Sequence, residues 1–365
     1  MKNYIKINLT FILGLLILFG CSQDKIVRVT DAYVNATMET EPVTGRDDVA
    51  DDPCVWVHPT SPSLSLIIGT DKDENYPGLR VYNMDGDQVF TTNNEKANNV
   101  DIRYGMKVGS NVYDIVTTGL RVSNTLGVYR VDGKSKSLIS IAARKISLGI
   151  EAYGSCMYKD IATNTFYAIV NDKEGNVEQY KLFDNGSGKV DAKLVRTLKL
   201  PGQLEGCVAD DILGYLYLGE EEHGIWKYNA NPNSLEAGVL IDSIGPNLAA
   251  DVEGLTIYYS SKTTGYLIAS SQGDNTYAIY TREGENKFVG RFAIVDSEQI
   301  DGTSSTDGID VCNMSLGKNF SQGAFIVQDD ENDKGKQNFK VVPWENIASS
   351  FSPPLSNNNK WSIRH

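Results

Sequence analysis

The sequence is short of histidine and of basic residues, and both shortages narrow the possible functions. Its 365 residues include three histidines, and 34 Lys and Arg stand against 47 Asp and Glu, a formal net charge of −13. A protein that binds a nucleic acid duplex replaces condensed counterions with cationic side chains, so this balance argues against a nucleic acid partner. With 11 prolines but 33 glycines and 19 tyrosines, the composition suits turns and strands better than long helices.

Several catalytic motifs are also absent from the sequence. Gly133-Lys134-Ser135 has Val128 where a P-loop needs its first glycine, which excludes nucleotide hydrolysis of that type. No Gly-x-Ser-x-Gly elbow is present, no cysteine is followed six residues later by arginine, and no histidine stands in an Arg-His-Gly context. These absences argue against a Ser-His-Asp hydrolase, a cysteine phosphatase and a phosphohistidine mechanism.

Cysteine is scarce, and none of the five cysteines belongs to a Cys-x-x-Cys pair. A zinc ribbon or a thioredoxin-like site therefore has no support. An exported chain can form disulfides. Because each of the last four cysteines lies in an apolar, strand-like segment, we instead predict buried free thiols at Cys54, Cys156, Cys207 and Cys312.

The N-terminal apolar run is too short to cross a membrane. Lys2 and Lys6 precede an apolar run over residues 9–18, and Gly20-Cys21 follows it, whereas a bilayer needs about 20 apolar residues. We predict a lipoprotein-type signal peptide over residues 1–20. The protein would then be exported to the cell envelope, at the outer membrane or cell surface, and held there only by a lipid on Cys21. The alternative is an ordinary signal peptide and a secreted protein. Either cleavage leaves 32 basic and 47 acidic residues, a net charge of −15.

An internal repeat of about 50 residues runs through the rest of the chain. Apolar alternating runs end in a closing aromatic at steps of 47 to 52 residues, at Tyr82, Tyr129, Tyr180, Tyr228 and Tyr280. A second marker recurs at the start of each unit, at Asp52-Pro53, Asp101-Ile102, Tyr153-Gly154, Glu205-Gly206, Glu253-Gly254 and Asp307-Gly308. Units of this size with three or four short strands are typical of propeller blades. Six units predict an all-β fold, a six-bladed β-propeller.

The last unit lacks the closing tyrosine, so the ring needs another strand there. We predict that the segment from Ala32 to Met38 adds this strand and closes the ring, which would hide exposed sheet edges. The chain then divides into a tether and N-terminal segment at 21–37, a propeller domain at 38–348 and a C-terminal tail at 349–365. No helix of usual length is predicted.

Equivalent positions of the repeat carry charges in an uneven arrangement. The hairpin turn after the middle strand carries, from blade 1 to blade 6, Lys72, Arg121, Lys173, Glu221, Gln272 and Asp329. The inner-strand starts add Asp51, Asp52, Asp101, Glu205, Asp251, Glu253 and Asp307, with Asp301 from the loop before. Clustered carboxylates without His or Cys favour Ca²⁺, and three consecutive cations suit an anion such as phosphate. The alternative is a solvated rim with charges scattered by chance.

Ordered segments in all six units resemble the β-propeller phytases, from about residue 38 to 348. The matching segments are Asp51-Asp52-Pro53-Cys54-Val55-Trp56, Asn98-Asn99-Val100-Asp101-Ile102-Arg103-Tyr104, Lys173-Glu174-Gly175, Asp251-Val252-Glu253-Gly254-Leu255, Ser270-Ser271-Gln272-Gly273, Asp301-Gly302-Thr303, Thr306-Asp307-Gly308-Ile309-Asp310 and Gln337-Asn338-Phe339-Lys340. The resemblance implies a calcium-dependent enzyme, of the 3-phytase type, that removes phosphate from phytate (inositol hexakisphosphate). We expect it to act as a monomer.

The resemblance also implies roles for single residues. The phosphate ligands would be Lys72, Arg121, Tyr153 and Lys173, and the catalytic residues Arg121, Tyr153, Lys173 and Glu221. The calcium ligands around the reacting phosphate would include Glu174, Glu205, Glu221, Asp251, Glu253 and Asp307. Other calcium ions would lie at Asp52, with Asp51 nearby, and at Asp301, Glu331 and Asn332. Family members often carry two adjacent lysines in the first-blade turn, whereas in this chain Lys72 stands between Asp71 and Asp73, which weakens the expected anion grip.

The expected mechanism is in-line attack of a calcium-activated water on phosphorus, without a phosphoenzyme. Tyr153 would hydrogen-bond a phosphate oxygen or the leaving group, or would only pack at an inner-strand start. Two other functions stay open at this point. One is a non-catalytic propeller lipoprotein that binds calcium or a partner, and the other is a calcium-dependent propeller lactonase.

Overall fold

The chain folds into six antiparallel β-sheets that follow one another in the sequence as the blades of a propeller. The structure is a computed structural model and describes residues 28–45, 48–93, 95–333, 335–362 and 364. The predicted all-β, six-bladed propeller is confirmed. The predicted signal peptide at 1–20 and the lipid site Cys21 lie outside the described residues.

Each blade has four antiparallel strands, given below from the inner to the outer strand, and the sheets of blades 2 and 5 each carry one further strand. Blades 1 to 3 contain Ala50–Trp56, Leu66–Asp71, Gly78–Tyr82 and Gln88–Thr91; Ala97–Val108, Asn111–Leu120, Thr125–Asp132 and Ser137–Ser140, with Ile146–Ser147 also on the third strand; and Ser155–Asp160, Thr165–Asn171, Asn176–Asp184 and Val190–Lys199. Blades 4 to 6 contain Leu204–Asp210, Tyr215–Glu220, Gly224–Asn229 and Val239–Ser243; Val252–Tyr259, Gly265–Ser271, Thr276–Thr281 and Phe288–Ile294; and Ile309–Cys312, Ala324–Asp329, Asn338–Pro343 and Met38–Glu39. Short 3₁₀ turns lie at Pro62–Leu64, Gln272–Asp274 and Lys318–Phe320.

The N-terminal segment closes the ring, but not along its whole predicted length. Met38–Glu39 pairs antiparallel with Asn338–Pro343 and supplies the outer strand of blade 6, as predicted. Ala32–Val34 instead pairs in parallel with Phe288–Ile294 of blade 5, so the prediction is wrong for this part. The alternation of buried Ala32 and Val34 with exposed Tyr33 fits the half-buried outer edge of that sheet. The segment thus crosses from one blade to the next.

The apolar core lies between the blades. Six clusters of buried side chains occur among the described residues, one at each interface between neighbouring blades. Each sheet buries its two faces against its two neighbours, which explains why the strands read as apolar runs. The cysteines predicted to be free and buried are so, which confirms that prediction for Cys54, Cys156, Cys207 and Cys312.

The C-terminal residues pack on the propeller. Within the described part of the chain, one α-helix occurs, at Trp344–Ser350, and the ring of Trp344 stacks on Tyr258 with centroids 3.9 Å apart. Trp361 stacks on Tyr259, and Arg364 Nη2 lies 2.6 Å from Asp114 Oδ2. The helix thus extends beyond residue 348, where the propeller domain was predicted to end. Because Trp361 and Arg364 also contact the blades, the C-terminal tail is part of the packed structure. None of the described helices is long and apolar enough to span a membrane.

Glycines let neighbouring inner strands approach at one end of the central channel. A Cβ at Gly154 would collide with the backbone oxygen of Glu205, and one at Gly206 with that of Glu253. A side chain at either position would hold the blades apart. The residues just before these glycines are therefore drawn together around the channel.

Candidate functional site

Two rings of side chains surround this end of the channel, and the strand registers define them. Each inner strand pairs with its second strand at Pro53↔Gly69, Val100↔Thr118, Ser155↔Val170, Cys207↔Leu218, Leu255↔Ala269 and Ile309↔Val327. Two residues before the first partner lies the inner ring, Asp51, Asn98, Tyr153, Glu205, Glu253 and Asp307. Three residues after the second partner lies the turn ring, Lys72, Arg121, Lys173, Glu221, Gln272 and Asp330.

These registers correct two positions of the sequence comparison. In blade 2 the equivalent residue is Asn98, whereas Asp101 lies further along the strand and pairs with Arg103 at 2.8 Å. In blade 6 the turn residue is Asp330, because Asp329 is buried in a 2.6 Å ion pair with Lys340. Asp101 and Asp329 are thus neutralised by cations and do not belong to the rings.

Three buried glutamates form a possible cation site. Glu205, Glu221 and Glu253 each offer a carboxylate oxygen, and these oxygens all lie within 4.8 Å of one another. Burial raises the pKa of Glu253 well above its usual value, and the neighbouring carboxylates, Glu205 first, raise it further. Burial likewise raises the pKa of Glu221; Gln203 opposes this shift, and nearby Asp251 adds to it. The charged forms of these groups therefore call for a cation among them.

The donor set of this site fits calcium. The described residues around it offer oxygen atoms and no nitrogen or sulfur from His or Cys, which is the preference of a hard cation. Two of these oxygens, Glu253 Oε2 and Asp51 Oδ1, are buried without a hydrogen-bond partner. Native proteins rarely leave such atoms unpartnered, and a bound ion would satisfy them.

Lys72 lies on the acidic side of the site. Its Nζ is 2.6 Å from Asp51, 2.8 Å from Asp48 and 3.8 Å from Asp307. Burial favours the neutral amine, but the three carboxylates outweigh this effect and raise the pKa of Lys72 above its usual value. Burial also raises the pKa of Asp51 to about 8, although Lys72 opposes the shift. Lys72 is therefore charged and already paired.

The other predicted phosphate ligands meet around one aromatic ring. The Arg121 guanidinium carbon lies 5.4 Å from the ring centroid of Tyr153, and Lys173 Nζ lies 4.5 Å from it. Both distances are within the range of cation–π attraction. Burial raises the pKa of the Tyr153 hydroxyl, and Glu205, Glu221 and Glu253 raise it further. Tyr153 is thus a protonated donor between two cations and the glutamate cluster.

Two amides that the sequence comparison missed connect these groups. Asn98 Oδ1 accepts a hydrogen bond from Arg121 Nη1 at 3.0 Å, and Asn98 Nδ2 donates to Glu205 Oε1 at 2.7 Å. Gln203 Nε2 donates to Glu221 Oε1 at 2.7 Å and lies 3.4 Å from the Tyr153 hydroxyl. If blade 2 had been aligned by its strand register, the repeat would have identified Asn98. No charge or motif marks Gln203.

The remaining predicted ligands lie at different distances from this centre. Glu174 is exposed beside Lys173, and its backbone N–H donates a hydrogen bond to Asp172 Oδ1 at 2.9 Å. Asp307 is half-buried, and its Oδ1 accepts a hydrogen bond from Gln272 Nε2 at 2.8 Å. Asp52 lies one residue further into the channel and accepts from the Val100 N–H at 2.9 Å. Burial raises the pKa of Asp52 and of Asp307 well above their usual values.

A second acidic region lies on the loops of blade 6. Asp301 Oδ1 is 2.6 Å from Lys340 Nζ, and Asp301 Oδ2 accepts from the Asp333 N–H at 2.9 Å. Asn332 Oδ1 is buried without a hydrogen-bond partner, while Glu331 is exposed. The structure thus brings the three predicted ligands of this region, Asp301, Glu331 and Asn332, onto adjoining loops.

The chain resembles known proteins in both sequence and fold. The sequence model of a family described as Phytase matches residues 5–364. The chain is 47% identical over 325 residues to the 3-phytase of Bacillus subtilis strain 168, which covers 86% of this chain and 84% of that protein. A solved Bacteroides thetaiotaomicron protein of unknown function gives a TM-score of 0.50 at 14% identity, over 86% of this chain and 75% of the other. A luciferin-regenerating enzyme gives 0.51 at 14%, over 83% and 95%. These two structures share the fold alone.

Proposed function

Because the chain belongs to the phytase family, we propose that it removes phosphate groups from phytate and uses calcium to do so. One observation, the position of a cation site next to an anion site, carries this proposal. The oxygen-only cluster of Glu205, Glu221 and Glu253 lies beside Tyr153, whose ring contacts Arg121 and Lys173. A scaffold that only bound calcium would have no need of two cations at that place.

The calcium ligands would be Glu205, Glu221 and Glu253, with Asp51, Asp251 and Asp307 close to them. Calcium held there would offset the charge of the substrate phosphate and lower the pKa of a water molecule. Bound calcium would also relieve the repulsion among these carboxylates, which burial makes costly.

The side chains on the other half of the site would bind the reacting phosphate. Arg121 and Lys173 would donate to its outer oxygens and stabilise the charge that spreads over them during in-line displacement. The protonated hydroxyl of Tyr153 would donate a hydrogen bond to a phosphate oxygen or to the leaving group. We propose direct hydrolysis without a phosphoenzyme, because the sequence has neither a cysteine phosphatase loop nor an Arg-His-Gly motif.

Lys72 would bind a neighbouring phosphate group of the same substrate. Its ammonium is now paired with Asp51 and Asp48. Once calcium engages Asp51 and Asp307, the charge of Lys72 would be less fully matched and free to attract an anion. We further propose that the enzyme is exported and lipid-anchored, from the basic and apolar leader before Cys21.

The test of this function is phosphate release from phytate, with calcium and with excess chelator. We expect release in calcium, its loss in chelator and its recovery when calcium is restored. Full activity in excess chelator would contradict the calcium requirement. Failure to release phosphate from phytate, with hydrolysis of a lactone instead, would favour the lactonase alternative.

A further inference from the structure

We propose that Asn98 is a positioning residue that keeps the charge of Arg121 available for phosphate while it fixes Glu205. The inference rests on the proposed function for its ligand, a phosphate group. Asn98 is fully buried, at 0% exposure, and lies between the two halves of the site. Its oxygen accepts from Arg121 at 3.0 Å, and its amide nitrogen donates to Glu205 at 2.7 Å and to Asn99 at 3.3 Å.

Blade 1 shows what a carboxylate does at the equivalent position. Asp51 occupies the inner ring there, and it forms a 2.6 Å ion pair with Lys72, the cation of the turn ring in the same blade. In blade 2 the same two ring positions carry Asn98 and Arg121. An aspartate in place of Asn98 would pair with Arg121 in the same way and reduce its attraction for an anion.

The other contacts of Arg121 leave much of its charge unmatched. Among the described residues, its closest carboxylate is Glu151, at 3.7 Å, and that side chain is 56% exposed, so water screens the attraction. The ring of Tyr153 contacts the guanidinium without neutralising it. The neutral oxygen of Asn98 thus orients the guanidinium and leaves its net charge in place, since an amide carbonyl satisfies one N–H without a compensating charge.

The amide nitrogen of Asn98 has a separate task. Glu205 is a proposed calcium ligand, and the hydrogen bond from Asn98 to its Oε1 sets the direction of the carboxylate. Residues that orient metal ligands in this way affect the binding of the metal as well as the reaction. Asn98 therefore connects the phosphate-binding and the calcium-binding sides of the site.

The test uses Asn98→Asp, which is nearly isosteric. We expect the KM for phytate to rise about tenfold and inorganic phosphate, measured by isothermal titration in calcium, to bind about tenfold more weakly, a change of about 1.4 kcal/mol. The kcat should change less than the KM. Calcium titration should show weaker binding, because aspartate lacks the N–H that directs the Glu205 carboxylate, so the KM and kcat are measured in saturating calcium. Asn229→Asp makes the same change near Glu236, at the opposite end of blade 4, and should alter none of these values.

A double-mutant cycle separates this role from a general loss of structure. In an Arg121→Ala background, Asn98→Asp should raise the KM little further, because the charge that it would pair with is gone. An equal effect in both backgrounds, or unchanged KM and phosphate binding in the single variant, would overturn the proposal. Should Asn98→Asp fail to fold, Asn98→Ser removes both bonds and must still weaken phosphate binding. Loss of phosphate release in the wild type would instead count against the proposed function itself.

Discussion

At the scale of single residues, the site holds charges where burial makes them costly. Glu205, Glu221 and Glu253 are all buried, and their carboxylates converge. Positive charge is present, but it lies to the side of the cluster, on Lys72, Arg121 and Lys173. A carboxylate that is needed only for calcium should therefore be expendable for folding and indispensable for activity.

Glu221→Gln tests this separation. Glutamine keeps an oxygen that accepts from Gln203 but loses the charge, so we expect kcat to fall at least a hundredfold while the fold and the melting temperature are retained. Steady-state kinetics and calorimetry measure the two effects. Exposed Glu285 offers the control substitution Glu285→Gln. Near-normal turnover of Glu221→Gln would remove that residue from the site.

Lys72→Ala tests the binding of the neighbouring phosphate. We expect the KM for phytate to rise several-fold with a smaller change in kcat. The calcium-free protein should also melt at a lower temperature, because buried Asp51 loses its 2.6 Å ion-pair partner. Lys262→Ala, on an exposed loop of blade 5, is the matched control. An effect on kcat alone would contradict a binding role for Lys72.

Asp310 gives a prediction for the effect of pH on stability. Burial, with Asp101 as the next cause, raises the pKa of Asp310 to about 6. The folded state then holds a proton that the unfolded state releases near pH 4, so this group's contribution to stability is lost as pH rises from about 4 to 6. Asp310→Asn should remove this fall, which is on the order of 3 kcal/mol. Denaturation measured across that range checks it, and equal slopes in both proteins would refute it.

The chemistry of single residues was partly predictable from the repeat. Arg121, Lys173 and Glu221 stand at one position of successive units, so a comparison within the chain finds them without knowledge of the fold. Asn98 was missed because its strand, Ala97–Val108, has 12 residues and two register shifts, one of them directly after Ala97. Counting residues along the sequence cannot locate such shifts. The sequence comparison therefore places Asp101, the nearest acidic residue, at the inner-ring position of blade 2.

At the scale of strands and turns, β-bulges place four of the six inner-ring side chains. Register shifts lie between Ala50 and Pro53, Ala97 and Val100, Leu204 and Cys207, and Val252 and Leu255. A bulge bends the strand and re-aims its side chains. The bulged residues of these four blades include Asp51, Asn98, Glu205 and Glu253. The same irregularity in these four inner strands thus delivers one inner-ring side chain in each of the four blades.

Gly206→Ala tests the importance of this close approach. Its Cβ would collide with the backbone oxygen of Glu253, which cannot move without its strand. We expect a loss of roughly 1–3 kcal/mol in stability and reduced calcium binding, as Glu205 and Glu253 are pushed apart. A Cβ at Gly245 would meet its nearest atom at 3.5 Å, so Gly245→Ala serves as the control. Unchanged stability and calcium binding would contradict the packing argument.

Strand pairing was predictable within blades and less so between distant segments. The hairpins and closing tyrosines lie close in sequence, and their alternation is a local signal. Ala32–Val34 pairs in parallel with a strand some 260 residues away. Parallel pairing of remote segments leaves no local pattern, so the N-terminal segment was assigned to blade 6 as a whole.

At the scale of the whole molecule, the negative charge and the proposed substrate conflict. A chain with a net charge of −13 should repel a hexaphosphate. The propeller places both kinds of charge at the same end of the central channel, where Arg121 and Lys173 lie beside Glu205, Glu221 and Glu253. Calcium among the glutamates would resolve the conflict, so the acidity of the protein becomes a requirement for metal.

The most direct test of this metal requirement is the binding of a non-hydrolysable inositol hexasulfate, measured by isothermal titration with and without calcium. A titration of calcium into the hexasulfate alone corrects for their direct association. We predict binding at least tenfold tighter in calcium than in chelator, and loss of that gain when Glu205 and Glu253 are both replaced by glutamine. Equal affinity with and without calcium would contradict the requirement.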